Sequence, residues 1–208
     1  MSSARIIQCL GLVSVISGVL IVGANLLTQD RIRTNQETIT RDSIAQLLPG
    51  ADKQITFEVQ PSGNLVQLTT ADAKVRKVYA GYDKSGKLLG VVLEASERGY
   101  ADMISAMYAY DPARKVIIGF AVVELKETPG LGDKITKDQD FLANFRSLDT
   151  SQPITAVKHG TKKNPWEIDA ISGATISSRA VGRMLQKSIA EMAPILERNI
   201  QTLQRGNQ

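Results

Sequence analysis

Cys9 is the only cysteine of this chain, and His159 is its only histidine. A single thiol excludes an intrachain disulfide and any metal site built from several cysteines. A single imidazole leaves no histidine-rich metal site, and a Ser-His-Asp mechanism would have one residue to rest on. No nucleic-acid-binding signature is present. Acidic and basic residues are interspersed around a formal charge of +4, which describes a mixed solvated surface and not a nucleic-acid face. Aromatics make up 5% of the chain, but hydrophobic content of 43% and charged content of 22% are those of a folded protein. Its 208 residues suffice for one ordinary domain, or one domain with a small subdomain.

What is present begins with a long apolar run. No charged residue occurs from Ile6 to Leu27. A helix needs roughly 20 apolar residues to cross a bilayer, whereas the apolar core of a signal peptide is about 7–15 residues long and ends at a small-residue cleavage site. The exit Val22-Gly-Ala-Asn-Leu-Leu27 is a poor match to Ala-x-Ala. Residues 1–28 are therefore expected to be an uncleaved single-span anchor in a lipid bilayer, with Cys9 packed as a small apolar residue. Arg5 precedes the run, and Arg31 and Arg33 follow it beside Asp30, so charge asymmetry leaves the orientation open.

Residues 29–76 are expected to hold a stalk helix and the first part of the following domain. Ile32, Ile39, Ile44, Leu47 and Leu48 give a sparse helical stripe that Pro49-Gly50 ends. Ile55–Val59 reads as a strand, with Leu65–Leu68 as its hairpin partner across Pro61-Ser-Gly-Asn64. Four clearer strands follow: Lys77–Tyr82, Leu88–Ala95, Met103–Tyr110 and Val116–Leu125. Asp83-Lys-Ser-Gly86 and Asp111-Pro-Ala-Arg114 supply turn chemistry between them. Glu94, Glu97, Arg98 and Asp102 read as a solvated rim. The fold class is α+β: an N-terminal membrane helix, then an antiparallel meander flanked by helices. The main domain is expected over 77–195, with a tail over 196–208.

Two stretches carry chemistry. The first is Glu127-Thr128-Pro129-Gly130-Leu131-Gly132-Asp133-Lys134, a tight loop with exposed amides in which Leu131 is held out between two glycines. It lacks the spacing of a dinucleotide fingerprint or a P-loop. Taken alone, it is also an ordinary turn leading to a helix near Phe141–Phe145. The second is Asp169-Ala-Ile-Ser172-Gly173-Ala174-Thr175, placed directly before an amphipathic helix whose apolar face is Ile176, Ala180, Met184, Leu185, Ile189 and Met192, and which runs to about Pro194. Helix N-termini present free amides to anions. Ser172 is placed to cap, and Gly173 allows close backbone approach. Taken alone, this stretch too reads as a capped turn. Residues 149–168 between the two stretches are loop or short-strand material, with His159 at the surface and Trp166 at the core or rim.

Together and in this order, the two stretches resemble the periplasmic FMN-binding domain family, at motif level over about residues 77–195. Within it the chain is most similar to the G subunits of Rnf-type ion-translocating electron-transport complexes, with the C subunits of sodium-translocating NADH:quinone reductases as the nearest relatives. The resemblance implies FMN joined by a phosphoester bond to Thr175, with Asp169, Ser172, Gly173 and Ala174 matching the motif around it. The bond would be made by a separate flavin transferase that uses FAD. Glu127, Thr128, Gly130, Leu131, Gly132 and Lys134 are the candidate residues beside the flavin. The resemblance further implies a single-pass protein of the bacterial inner membrane with its domain on the periplasmic side. Its partners would be the other membrane and redox subunits of the complex. It would transfer electrons without independent catalysis, while the complex couples ferredoxin and NAD redox chemistry to ion movement. Ser177 and Ser178 receive no role from it. The competing expectations are a hydrolase or transferase with Thr175 or Ser177 as nucleophile and His159 as base, and a non-redox extracytoplasmic binding module.

Overall fold

The computed structural model describes residues 3–68 and 75–205. Residues 69–74, within the expected first part of the domain, and 206–208, the end of the expected tail, lie outside the described residues. Helix α1 spans Ser3–Leu47. Its segment Ser3–Gln29 is 27 residues long and apolar enough to cross a membrane, with a mean hydropathy of 2.4. The stalk helix expected at the start of 29–76 is the later part of α1, continuous with the apolar segment because nothing between Leu27 and Leu47 breaks a helix. Packing divides the chain into two compact units between Arg41 and Asp42.

The second unit is built on a seven-stranded antiparallel sheet. In chain order the strands are β1 (Lys53–Val59), β2 (Leu65–Gln67), β3 (Lys77–Tyr82), β4 (Leu88–Arg98), β5 (Met103–Asp111), β6 (Val116–Leu125) and β7 (Leu148–Asp149). Their spatial order is β2-β1-β3-β4-β5-β6-β7. A parallel pair, β8 (Thr155–Val157) and β9 (Glu167–Asp169), stands apart from that sheet. The central strands read as alternation with period two. Val78, Ala80 and Tyr82 of β3, Val91 and Leu93 of β4, and Tyr108 and Tyr110 of β5 face one core, while Tyr79, Val92, Met107 and Ala109 face another.

Ile44, Leu47 and Leu48 cover that second face. They fit because the sheet offers glycine there: a Cβ on Gly81 would lie 2.7 Å from Leu48 Cδ1, and one on Gly119 would lie 3.0 Å from Leu47 Cδ2. The first face is covered by α3 (Thr175–Arg198), a 24-residue helix that buries Ala180, Val181, Met184, Leu185 and Met192. Tyr108 Oη donates to Ser188 Oγ at 2.7 Å and fixes the helix on the sheet.

Helix α3 passes through Pro194, where the sequence predicts a stop. Pro194 is exposed, and Met192 and Leu196 beside it are fully buried, so packing outweighs the one lost amide donor. The described part of the expected tail is likewise helical. Helix α4 (Ile200–Arg205) buries Leu203, whose carbonyl accepts from Tyr82 Oη. Burial pushes the Tyr82 hydroxyl up to about 12.

Candidate functional site

The two motif stretches meet at one end of α3. The first leaves β6 and turns at Thr128–Leu131, where Leu131 N donates to Thr128 O at 3.2 Å. It continues as a 3-10 helix over Gly132–Thr136 and reaches α2 (Gln139–Ala143), whose first turn Asp138 caps through Phe141 N at 2.9 Å. Phe145, in the 3-10 turn Asn144–Arg146, holds this segment to the sheet, with its ring 4.5 Å from Phe120 and 5.2 Å from Phe141. The second stretch leaves β9, turns through Gly173 at φ +83° and enters α3 at Thr175.

Between them lies a cleft of about 580 Å³ lined by Gly130, Lys134, Asp169 and Ser172 from the motifs, together with His159 and Phe141. This is the size range of small-molecule sites, about 300–1,000 Å³. Lys134 makes no ion pair among the described residues, so its ammonium is a free positive charge at the cleft. Gly130 has φ +78°, and a Cβ there would meet open space; the same holds for Gly173. Both positions therefore present bare backbone outward. Leu131 is 51% exposed, as expected of a residue held out between glycines.

Ser172 is exposed and does not cap α3, contrary to the sequence expectation. Ala174 occupies the cap position with no side-chain hydrogen bond. The first backbone donor to close on the turn is Ser178 N, 2.9 Å from Ala174 O. The amides of Thr175, Ile176 and Ser177 consequently find no acceptor among the described residues, and the half-buried Thr175 hydroxyl finds no partner there either. Three unpaired donors at the positive end of a 24-residue helix are the arrangement that holds a phosphate. The start of α3 and the neighbouring cleft, which carries Asp133, Asp138, Asp140 and Asp169 beside Lys134 and Lys137, are the candidate places for the phosphate and the ring system of FMN.

Of the expected residues, Glu127, Thr128, Leu131, Gly132, Gly173, Ala174 and Thr175 stand outside the cleft lining. Glu127 is buried at 8% exposure. Its Oε1 accepts from Ala101 N at 3.1 Å and its Oε2 from Ser177 Oγ at 2.9 Å. Gly132 is buried against it: a Cβ there would lie 2.4 Å from Glu127 Oε2. Thr128 is exposed in the turn and does not line the cleft. Asp169 faces the cleft, but its carboxylate is engaged: Oδ1 accepts from Gly160 N at 2.7 Å, and Oδ2 lies 3.4 Å from His159 Nδ1. No hydroxyl donates to His159 among the described residues, and Ser177 is held by Glu127, so the hydrolase arrangement is not assembled.

Several residues at the site carry no local sequence signal. Buried Asn144 accepts from Asp169 N at 3.0 Å and from Lys162 Nζ at 2.9 Å, and donates to Phe141 O at 2.9 Å, tying β9 to the α2 segment. Asp133 also lines the cleft, and the Lys137 ammonium 3.1 Å away holds its carboxyl below the usual carboxylate range. Glu167 accepts from Lys163 N at 2.7 Å and from Asn164, which hold its carboxyl below the usual range.

Comparison with known proteins places this geometry. The FMN-binding domain family matches residues 99–190. The G subunit of an ion-translocating oxidoreductase complex from Methanosarcina acetivorans is 30% identical over 89% of this chain and 92% of its own. The G subunit of a proton-translocating ferredoxin:NAD(+) oxidoreductase complex from Clostridium ljungdahlii is 29% identical over 85% of this chain and 84% of its own. The crystal structure of the C subunit of the Na(+)-translocating NADH-quinone reductase from Parabacteroides distasonis superposes with a TM-score of 0.62 at 21% identity, covering 80% of this chain and 96% of that one, and so shares the fold. On that similarity and on its FMN-binding domain, this chain belongs to the family of ion-translocating oxidoreductase complex G subunits.

Proposed function

We propose that this chain is the flavoprotein subunit of an Rnf-type complex, carrying FMN joined through its phosphate to the Thr175 hydroxyl. The observation that carries the reading is the start of α3: a threonine hydroxyl without a partner, beside three backbone amides without acceptors among the described residues. A phosphodiester there would be held by those amides and the helix dipole. Gly130, Leu131 and Lys134 on one side, and Asp169, Ser172 and Gly173 on the other, would hold the rest of the group. Bound FMN supplies redox chemistry that no side chain of this protein can. The protein's own part is to place that group, exclude water from it and set the charge around it.

Lys134 supplies a positive charge at the cleft. A threonine hydroxyl is a poor nucleophile without a base, and the carboxylate nearest in sequence, Asp169, is engaged with Gly160 and His159. As the family resemblance implies, a separate flavin transferase would form the bond, moving FMN from FAD to the Thr175 oxygen with AMP as the leaving group. Residues 3–29 anchor the chain in the inner membrane with the domain on the periplasmic side. There the subunit passes electrons between the other redox and membrane subunits of a complex that couples ferredoxin and NAD oxidation–reduction to ion movement. The names of its relatives support this last step. The test is co-expression with a flavin transferase, denaturation in SDS and in-gel flavin fluorescence. A bright wild-type band that is absent in Thr175→Ala is expected, whereas a dark wild-type band overturns the reading.

A further inference from the structure

Ser177 and Ser178 follow Thr175 closely and have hydroxyls of their own. Both are closed off, at 2% and 0% exposure, and both hydroxyls are already used. Ser177 Oγ donates to Glu127 Oε2 at 2.9 Å. Ser178 Oγ donates to Ala174 O at 2.9 Å and accepts from Ile171 N at 3.1 Å. One serine thus reaches the loop that leaves β6, and the other reaches the turn that leaves β9. Successive helix residues are turned by about 100°, so two adjacent inward serines fix the rotation of the first turn, with Ile176 outward and half-buried Thr175 at the margin of the inward face, three residues before Ser178.

The Glu127 end of this arrangement is closely packed. Its carboxylate touches the Ala101 amide, and the absence of a side chain at Gly99 and Gly132 makes room for it: a Cβ on Gly99 would lie 2.2 Å from Oε1. The start of the 3-10 helix that carries Asp133 and Lys134 is therefore pinned to the first turn of α3 through one buried carboxylate and one serine.

We infer that Ser177 and Ser178 are positioning residues, one holding the 127–134 loop and the other the 171–174 turn, so that the Thr175 hydroxyl and its neighbouring amides are set in place before flavin is attached. This rests on the reading of Thr175 as the attachment residue. It also excludes the two serines as alternative acceptors. Glu127 belongs to the same device and needs only a hydrogen-bonding partner in Ser177, whose hydroxyl can donate or accept.

The test uses the full-length chain in detergent with purified transferase and FAD, and follows both the rate of covalent flavin uptake and backbone amide exchange before flavin is added. Ser177→Ala is expected to take up flavin about three- to tenfold more slowly per folded molecule, the effect of one lost hydrogen bond, and Ser178→Ala, which loses two, more slowly still. Exchange at Ile171 rises in Ser178→Ala and not in Ser177→Ala, whereas exchange at residues 131–134 rises in Ser177→Ala.

Wild-type rates per folded molecule in both alanine variants overturn the inference, as does unchanged local exchange. Flavin that persists in Thr175→Ala and disappears in a serine variant overturns it too, by making that serine the acceptor. A wild-type chain that takes up no flavin refutes the Thr175 reading instead. The exchange measurement on the same protein then still decides whether the serines hold the two segments.

Discussion

Gly130 and Gly132 are two residues apart, yet the structure requires glycine at each for a different reason. Gly130 has φ +78° with open space around it, so Gly130→Ala meets only the left-handed backbone penalty, about 1–2 kcal/mol. Gly132 carries no positive φ. A Cβ there would lie 2.4 Å from Glu127 Oε2, 2.7 Å from Glu127 Cβ and 3.0 Å from Ser177 Oγ. The carboxylate can swing aside but the Glu127 Cβ cannot, so Gly132→Ala combines overpacking of about 1–3 kcal/mol with weakening of buried hydrogen bonds to a carboxylate, about 1.5–3 kcal/mol each. Since the two effects relieve one another in part, a total of about 2–4 kcal/mol is expected. For a unit of this size that lowers Tm by about 4–16 °C.

Trp166 is the only tryptophan, so its fluorescence follows unfolding of the second unit alone. Amide exchange at Ala101, whose N–H donates to Glu127, locates the damage. It should rise in Gly132→Ala and stay unchanged in Gly130→Ala. Equal destabilisation by the two substitutions, with Ala101 unchanged in both, would refute the role given to the Glu127 carboxylate.

Other outcomes follow from the same contacts. Asn144→Ala removes the acceptor of Asp169 N and Lys162 Nζ together and should lower stability to urea by about 2–4 kcal/mol, with exchange rising at Asp169. Glu167 and Asp133 titrate below the ordinary carboxylate range in the folded chain. The stability they contribute is therefore present above the unfolded value, 4.5 for Glu167 and 3.8 for Asp133, and is lost as pH falls through their depressed folded values. Glu167→Gln should flatten that part of the acid limb in pH-dependent melting curves, and Lys137→Met should move the Asp133 carboxyl resonance back towards the ordinary range.

The sheet was legible because its strands obey period two under strong local rules. Lys77–Tyr82 and Val116–Leu125 form strands with the expected bounds. The loop at 127–134 and the helix start at Thr175 were legible from glycine, proline and hydroxyl spacing. What joins them was not. The Glu127–Ser177 bond spans 50 residues, and the Asn144–Asp169 bonds span 25, distances at which periodicity carries no information.

Local rules also misled where packing outweighed them. Ser172 has a capping side chain but is exposed to solvent, because Ser178 reaches back and organises the turn from beneath. Pro194 reads as a stop, but buried Leu196 and Leu203 draw the chain on in helical form.

The central claim rests on one atom, the hydroxyl oxygen of Thr175. Trypsin releases it within Asn164–Arg179, a peptide that also holds Ser172, Ser177 and Ser178. Fragment mass spectrometry of that peptide, from chain matured with a flavin transferase, reads the attachment residue directly. The mass of FMN, less water, is expected on Thr175 alone. The same mass on any of the three serines, or an unmodified peptide, would contradict that claim.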